Sequence, residues 1–186
     1  MFLTSDGKTV SQFNACGTKP FQPAGAHPHT AEAKIDFVYP EVPFPTDRLC
    51  KEWGEANLRA MVRHHHGLLR KSAIGALFPT DDAAFAFATE KTADFFVEAL
   101  GGTKGYTPLH GHPALRMRHF HITIDEKGRE IWLMLYKKTI NDLQMPSDCI
   151  EEFWNWIEPL SIRMINRRTT VAPVERYPYP VIWNKQ

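Results

Sequence analysis

At 186 residues the chain is long enough for one domain with a sizeable core and an appendage. A formal net charge of +1, with 23% charged residues, gives no basic field of the kind a nucleic-acid surface needs. Hydrophobic residues make up 43% and aromatics 12%, the proportions of a globular protein with a rich core, yet no apolar run is long enough to read as a membrane span.

The N-terminus, Met1-Phe2-Leu3-Thr4-Ser5-Asp6, has neither a cationic start nor an apolar run, so no secretory signal is expected. Residues 1–46 carry Pro20, Pro23, Pro28, Pro40, Pro43 and Pro45 without helical periodicity. Each proline removes a donor and pushes its predecessor out of the helical region, which predicts an extended arm. Phe21, Phe37, Tyr39 and Phe44 predict that part of this arm lies on the globular body.

From residue 47 the chain reads helical. Thr46 or Asp47 is placed to cap a helix carrying Leu49 and Trp53, and Gly54 marks a break. Leu58, Met61, Val62, His65 or His66, and Leu69 then follow the spacing of an amphipathic helix. Phe78-Pro79 closes that region, and Thr80-Asp81-Asp82 starts the next helix with a capping oxygen and negative charge at the positive dipole end. Its apolar face includes Phe85, Ala88, Thr92, Phe95, Phe96 and Leu100, and Gly101-Gly102 ends it. Residues 103–112 read as loop, followed by short turns over 113–117. A long helix from about Asp125 to Asn141 is expected to turn Ile131, Trp132, Met134 and Leu135 inward. A last helix, capped by Ser147 and running to about Arg167, carries Ile150, Phe153, Trp154, Ile157 and Leu160, with Pro159 bending it. Residues 169–186 form an irregular tail. Ile122-Thr123-Ile124 is too short to build a sheet, so the class is all-α. A long irregular loop inside such a body is usually functional.

The three cysteines, Cys16, Cys50 and Cys149, are far apart and lack metal-type spacing, which fits reduced thiols in a cytoplasmic protein. Seven of the nine histidines fall in two groups, at 64–66 and 110–121. Three consecutive histidines on a helix splay by about 100° each, so at most one of 64, 65 and 66 faces any one site. A zinc site built from this run with His110 or His112 lacks a completing carboxylate or thiolate pattern. His119 stands differently: it follows the basic stretch Leu115-Arg116-Met117-Arg118 and precedes Trp132 by thirteen residues. A neutral imidazole with aromatic walls and cations at the rim is what a haem iron and its propionates require.

Gly101-Gly102, Tyr106, Gly111-His112-Pro113, Leu115 through His119 and Trp132-Leu133 together resemble the truncated haemoglobins, particularly their second group. The resemblance covers about residues 47–168, leaving the arms 1–46 and 169–186 outside it. It implies a two-over-two helical sandwich around haem b, with His119 as the proximal ligand to iron. Arg116 or Arg118 would meet a propionate, and Phe78, Phe95, Tyr106 and Leu115 would line the haem. On the distal side the resemblance places Trp132, Ala88 and Thr92, with a small residue at 88 leaving an open path for ligand entry. Where the family carries a tyrosine that hydrogen-bonds the gas, this chain has His65 or His66; spacing from Leu58 and Val62 favours His66, whose imidazole is expected to donate or to bind iron itself. The function implied is binding of oxygen, nitric oxide or carbon monoxide, in oxygen transport, nitric-oxide dioxygenation, peroxidase-like redox chemistry, or sensing and scavenging. The redox activities need an outside electron donor, because no flavin or nicotinamide motif is present. A haem-free globin shell acting as an interaction or sensor domain is the competing reading, and the arms are candidate contacts for a homodimer.

Overall fold

The computed structural model describes residues 39–183. Among them every regular element is a helix: α1 Arg48–Trp53, α2 Glu55–Arg70, α3 Asp82–Ala99, α4 Thr107–His110, α5 Leu115–Arg118, α6 Glu126–Asp142, α7 Ser147–Met164 and α8 Tyr179–Trp183, with a 3₁₀ turn at Gly75–Leu77. α2 packs on both α3 and α6, α6 packs on α7, and α1 wedges against α2 and α7. This is the two-over-two arrangement, α2 and α3 over α6 and α7.

The core is where the stripes meet. Leu58, Met61 and Val62 of α2 bury against Ala93, Phe96 and Val97 of α3, Leu133, Tyr136 and Ile140 of α6, and Phe153 and Ile157 of α7. Each large apolar side chain so buried contributes roughly 1.5–3 kcal/mol. The inward face of α6 differs from the expected one. Arg129, Leu133, Tyr136 and Ile140 are buried, whereas Ile131, Trp132, Met134 and Leu135 are half-exposed.

The ends of α3 follow the sequence closely. Asp81 accepts from the Ala84 amide at 2.7 Å, and at the other end Gly102 N–H donates to Val97 O and Gly101 N–H to Glu98 O, a Schellman closure. Gly101 has φ +88°, and a Cβ there would fall 2.3 Å from the Asp47 Cα, so the position excludes side chains on two counts.

Other expectations are corrected. Residues 107–110 form a helical turn rather than loop, because the Glu98 carboxylate accepts from the Tyr106 and Thr107 amides that start it. Pro146, not Ser147, occupies the N-cap position of α7, and that helix ends at Met164, short of Arg167. Residues 39–46 are without regular structure, as expected; the earlier part of the arm lies outside the described residues.

The tail is not simply irregular. α8 forms within it, and Tyr177, Tyr179, Ile182 and Trp183 pack against the core. A charge cluster binds it. The Arg129 side chain, 2% exposed, donates to Glu158 Oε1 at 2.6 Å, to Ser161 Oγ at 2.8 Å and to the Glu175 carbonyl at 2.7 Å. Arg176 reaches the same Glu158 carboxylate at 2.8 Å, and the Tyr177 amide donates to it. Burial pushes the Arg129 guanidinium below its ordinary pKa and the Glu158 carboxylate beside it offsets that, so the charge stays buried only as part of a pair. Removing one partner of such a pair strands the other. Glu158→Ala is expected to cost about 3–5 kcal/mol. Arg176→Ala removes a pair that is half in water and is expected to cost about 1 kcal/mol or less. Urea denaturation of the two variants checks this, and equal losses would contradict it.

α2 also buries two histidines. His65 is fully buried and donates from Nε2 to the Trp132 carbonyl at 3.0 Å; His66 is 8% exposed and donates from Nδ1 to the Val62 carbonyl at 2.9 Å. Burial holds His65 well below the ordinary imidazole range and lowers His66 to about 4, so both are neutral at pH 7. The unfolded chain takes up protons below about pH 6.5 that these buried rings refuse. Stability is therefore full above pH 6.5 and declines as pH falls toward 4, with His66 alone responsible for about 3 kcal/mol over that window. Denaturation at pH 7 and pH 5 should show a loss that shrinks in His66→Leu; an unchanged loss would assign the acid sensitivity elsewhere.

Candidate functional site

A cavity of about 360 Å³ opens between the helix pairs, a volume within the range of small-molecule and cofactor sites. Two helices line it with the same periodic stripe. Ala88, Lys91, Thr92 and Phe95 come from α3, and Ile157, Leu160, Ser161 and Met164 from α7. Gly128, Arg129, Trp132 and Tyr136 come from α6, and Leu77 and Phe78 from the corner after α2. Tyr106 closes one side with its ring 5.6 Å from Phe95. The fourth side is α5 and its continuation: Leu115, Arg118, His119, His121, Ile122 and Ile124.

Of the residues singled out in the sequence, Phe78, Phe95, Tyr106, Leu115, Arg118, His66, Ala88, Thr92, Trp132 and His119 all line this cavity. His65 and Arg116 do not. His65 sits behind the wall, stacked on Tyr136 with ring centroids 3.5 Å apart, its Nε2 on the Trp132 carbonyl. α2 is packed on two sides, so adjacent residues are both buried but face different neighbours: one α6, the other the cavity. Arg116 points away. Its Nη1 donates to the carbonyls of Arg163 and Ile165 at 2.9 Å each, where the end of α7 leaves backbone acceptors free, and its guanidinium lies over Tyr39.

Several polar groups of the cavity have settled hydrogen-bond roles, while the buried Tyr136 hydroxyl has no partner among the described residues. His119 donates from Nδ1 to the Leu115 carbonyl at 2.7 Å, and His66 from Nδ1 to the Val62 carbonyl. A carbonyl only accepts, so the proton sits on Nδ1 in both, and each neutral ring keeps a lone pair on Nε2. Burial lowers the His119 pKa, which keeps that ring neutral too. Thr92 donates its hydroxyl hydrogen to the Ala88 carbonyl at 2.9 Å, so it offers the cavity no donor. The Trp132 indole N–H makes no hydrogen bond among the described residues. The expectation that His66 donates to a ligand is therefore replaced: at neutral pH it presents an acceptor.

At the rim, Arg118 donates to the carbonyls of Pro113, His110 and His112, which folds the preceding loop around its guanidinium. Lys91 supplies a second cation and makes no ion pair among the described residues. Sequence reading passed over Lys91, although it shares the 88–92–95 stripe; a charged residue in that register was the available signal. Ser161 and Arg129 were missed because their polarity hid the face of α7 and α6 that they share with apolar neighbours. No trio of His, Cys, Asp or Glu is placed to hold a metal among the described residues, and Cys50 and Cys149 are free thiols. No described helix is long and apolar enough to cross a membrane.

An apolar cavity with two unprotonated Nε2 atoms and two rim cations fits a flat, dianionic, iron-bearing group, and relatives of this chain point the same way. Residues 53–166 match the family described as bacterial-like globin. The group 2 truncated hemoglobin YjbI of Bacillus subtilis (strain 168) is 30% identical over 91 residues, covering 49% of this chain and 67% of that protein. Among crystal structures, phosphate-bound Hell's gate globin IV is 50% identical with a TM-score of 0.80, over 82% of this chain and 96% of that one. The group II truncated hemoglobin from Bacillus anthracis is 29% identical with a TM-score of 0.57, over 62% and 93%. The group II 2-on-2 hemoglobin from Agrobacterium tumefaciens is 26% identical with a TM-score of 0.59, over 70% and 99%. The chain belongs to the bacterial-like globins, in the group II truncated branch, a family that implies haem and the binding of a ligand to it.

Proposed function

We propose that this globin binds haem b through His119 and takes up diatomic gases on the side guarded by His66 and Trp132. The observation that carries the reading is the pair of lone pairs: His119 and His66 each fix their proton on a backbone carbonyl and leave Nε2 free in one apolar cavity. That tautomer is the one a metal-binding imidazole needs, with its second nitrogen tied to a fixed acceptor. Arg118 and Lys91 would meet the propionates, in place of Arg116. Phe78, Phe95, Tyr106 and Leu115 supply the apolar walls. When bound, haem supplies reversible gas binding and one-electron chemistry.

The residues around it set the terms. The Trp132 indole N–H is a donor available to a gas, and the unpartnered Tyr136 hydroxyl is a second in the lining. His66 competes with the gas for the same place, because a neutral ring with a bare Nε2 accepts a hydrogen bond or binds metal but does not donate. Ala88 leaves the α3 wall low at the point of entry. Gas binding in equilibrium with His66 suits a scavenging or sensing role, with nitric-oxide dioxygenation or peroxidase-like turnover requiring an external electron donor. The cytoplasm supplies such donors and is the compartment this role fits.

Haemin added to the purified protein is expected to give a Soret band that disappears in His119→Ala. Protein that takes up no haemin would return the chain to a haem-free interaction or sensor shell. His66→Leu is expected to change the resting spectrum from six- to five-coordinate and to raise the carbon monoxide association rate at least about tenfold, a change of about 1.4 kcal/mol in the barrier. A rate and spectrum identical to wild type would show that His66 does not compete.

A further inference from the structure

α5 has only four residues and is entered through Ala114 at φ 41°, a left-handed conformation. A helix of one turn does not hold its own position, because its nucleation is unfavourable and little propagation follows. His119 lies just past its end, and the backbone from there to Ile124 has no regular structure. What fixes this segment comes from the chain just beyond α7.

Asn166 reaches it with its whole amide. Its Nδ2 donates to the carbonyl of His119 at 2.9 Å and to that of Ile122 at 2.8 Å, while its Oδ1 accepts from the Ile124 amide at 2.9 Å. The amides of Asn166 and Arg167 both donate to the Ile124 carbonyl, at 3.0 and 3.1 Å. On the other side Arg116 ties α5 to the carbonyls of Arg163 and Ile165. Asn166 thus uses both of its hydrogens and its oxygen on one six-residue stretch, and no other side chain of that length offers two donors beside an acceptor. His119 is held at two ends, its ring on the Leu115 carbonyl and its own carbonyl on Asn166.

We propose that Asn166 is a positioning residue for His119, setting the direction in which Nε2 enters the cavity; the proposal rests on His119 being the haem ligand. The argument is local. The carbonyl that Asn166 grips belongs to the ligand residue itself, so losing the grip turns the imidazole before it loosens the core. A residue that merely stabilised the fold would not act on that ring.

The experiment compares Asn166→Asp, which keeps the acceptor and removes both donors, and the milder Asn166→Ser, with wild type and with Ile140→Val as a core-weakened control. Haemin release to an excess of haem-free acceptor protein is expected to be at least about tenfold faster in Asn166→Asp and intermediate in Asn166→Ser. The iron–imidazole stretching band of the ferrous protein is expected to shift or broaden in both. In the haem-free protein, amide exchange at Ile124 is expected to accelerate in Asn166→Ser, whose shorter side chain withdraws the acceptor, while exchange in α6 stays as in wild type. Ile140→Val should leave the band and the release rate where they are. Asn166 variants that keep the wild-type band and release rate, losing only global stability as the control does, would overturn the positioning role while leaving haem binding intact. Wild-type protein that takes up no haemin would overturn both.

Discussion

The carbonyl of Val62 takes the Nδ1 proton of His66, and that of Leu115 takes the Nδ1 proton of His119. These two bonds between a ring and the backbone four residues before it decide the chemistry of the cavity. With the proton placed elsewhere, His66 would be a donor and His119 would face the cavity with an N–H unfit to bind a metal. The rest of the lining is consistent with that choice. Thr92 turns its hydroxyl hydrogen back to its own helix, and behind the wall His65 donates from Nε2 to the Trp132 carbonyl. Against those settled groups the free ones stand out: two imidazole lone pairs, the Trp132 indole N–H, the buried Tyr136 hydroxyl and the Lys91 cation.

Two kinds of support hold this arrangement. The apolar core fixes α2, α3, α6 and α7 relative to one another by area alone, without direction. Hydrogen bonds of fixed direction then place the pieces that the core does not reach. Glu98 starts α4, Arg118 folds the loop before α5, and residues 163–167 hold the loop after it. The wall that carries His119 is therefore built from short segments tied by polar contacts, whereas the wall that carries His66 and Trp132 is built on long helices with buried faces.

That division explains what was legible in the sequence. Periodicity reports buried faces, and α2 was readable down to Leu58, Met61, Val62 and Leu69 because its stripe is apolar. Spacing from Leu58 and Val62 favours His66 over His65 by a narrow margin, because a helix packed on two sides buries a wide arc and both histidines fall in it. The contacts of each ring separate them fully. On α6 the inward face was misread because Arg129 sits in it, a charge that pattern reading assigns to water. Arg116 was assigned to the rim for its charge, but its target is the exposed carbonyl end of α7, which no local pattern announces. Asn166 is the plainest case. Its partners lie 42 to 47 residues away, and nothing about an asparagine after a helix says which loop it will hold.

The buried pair of Arg129 and Glu158 bears on where this globin ends. The stretch shared with the family stops at residue 166, yet the guanidinium on the cavity wall finds its backbone acceptor at Glu175, and Trp154 finds its own at Tyr177. Kinship and folding draw different borders on this chain. A designer who trimmed the protein to the shared stretch would keep every residue that faces the cavity and still leave an arginine and a tryptophan without the carbonyls that satisfy them. The boundary that matters for making the protein is the one set by hydrogen bonds, and it lies beyond the one set by ancestry.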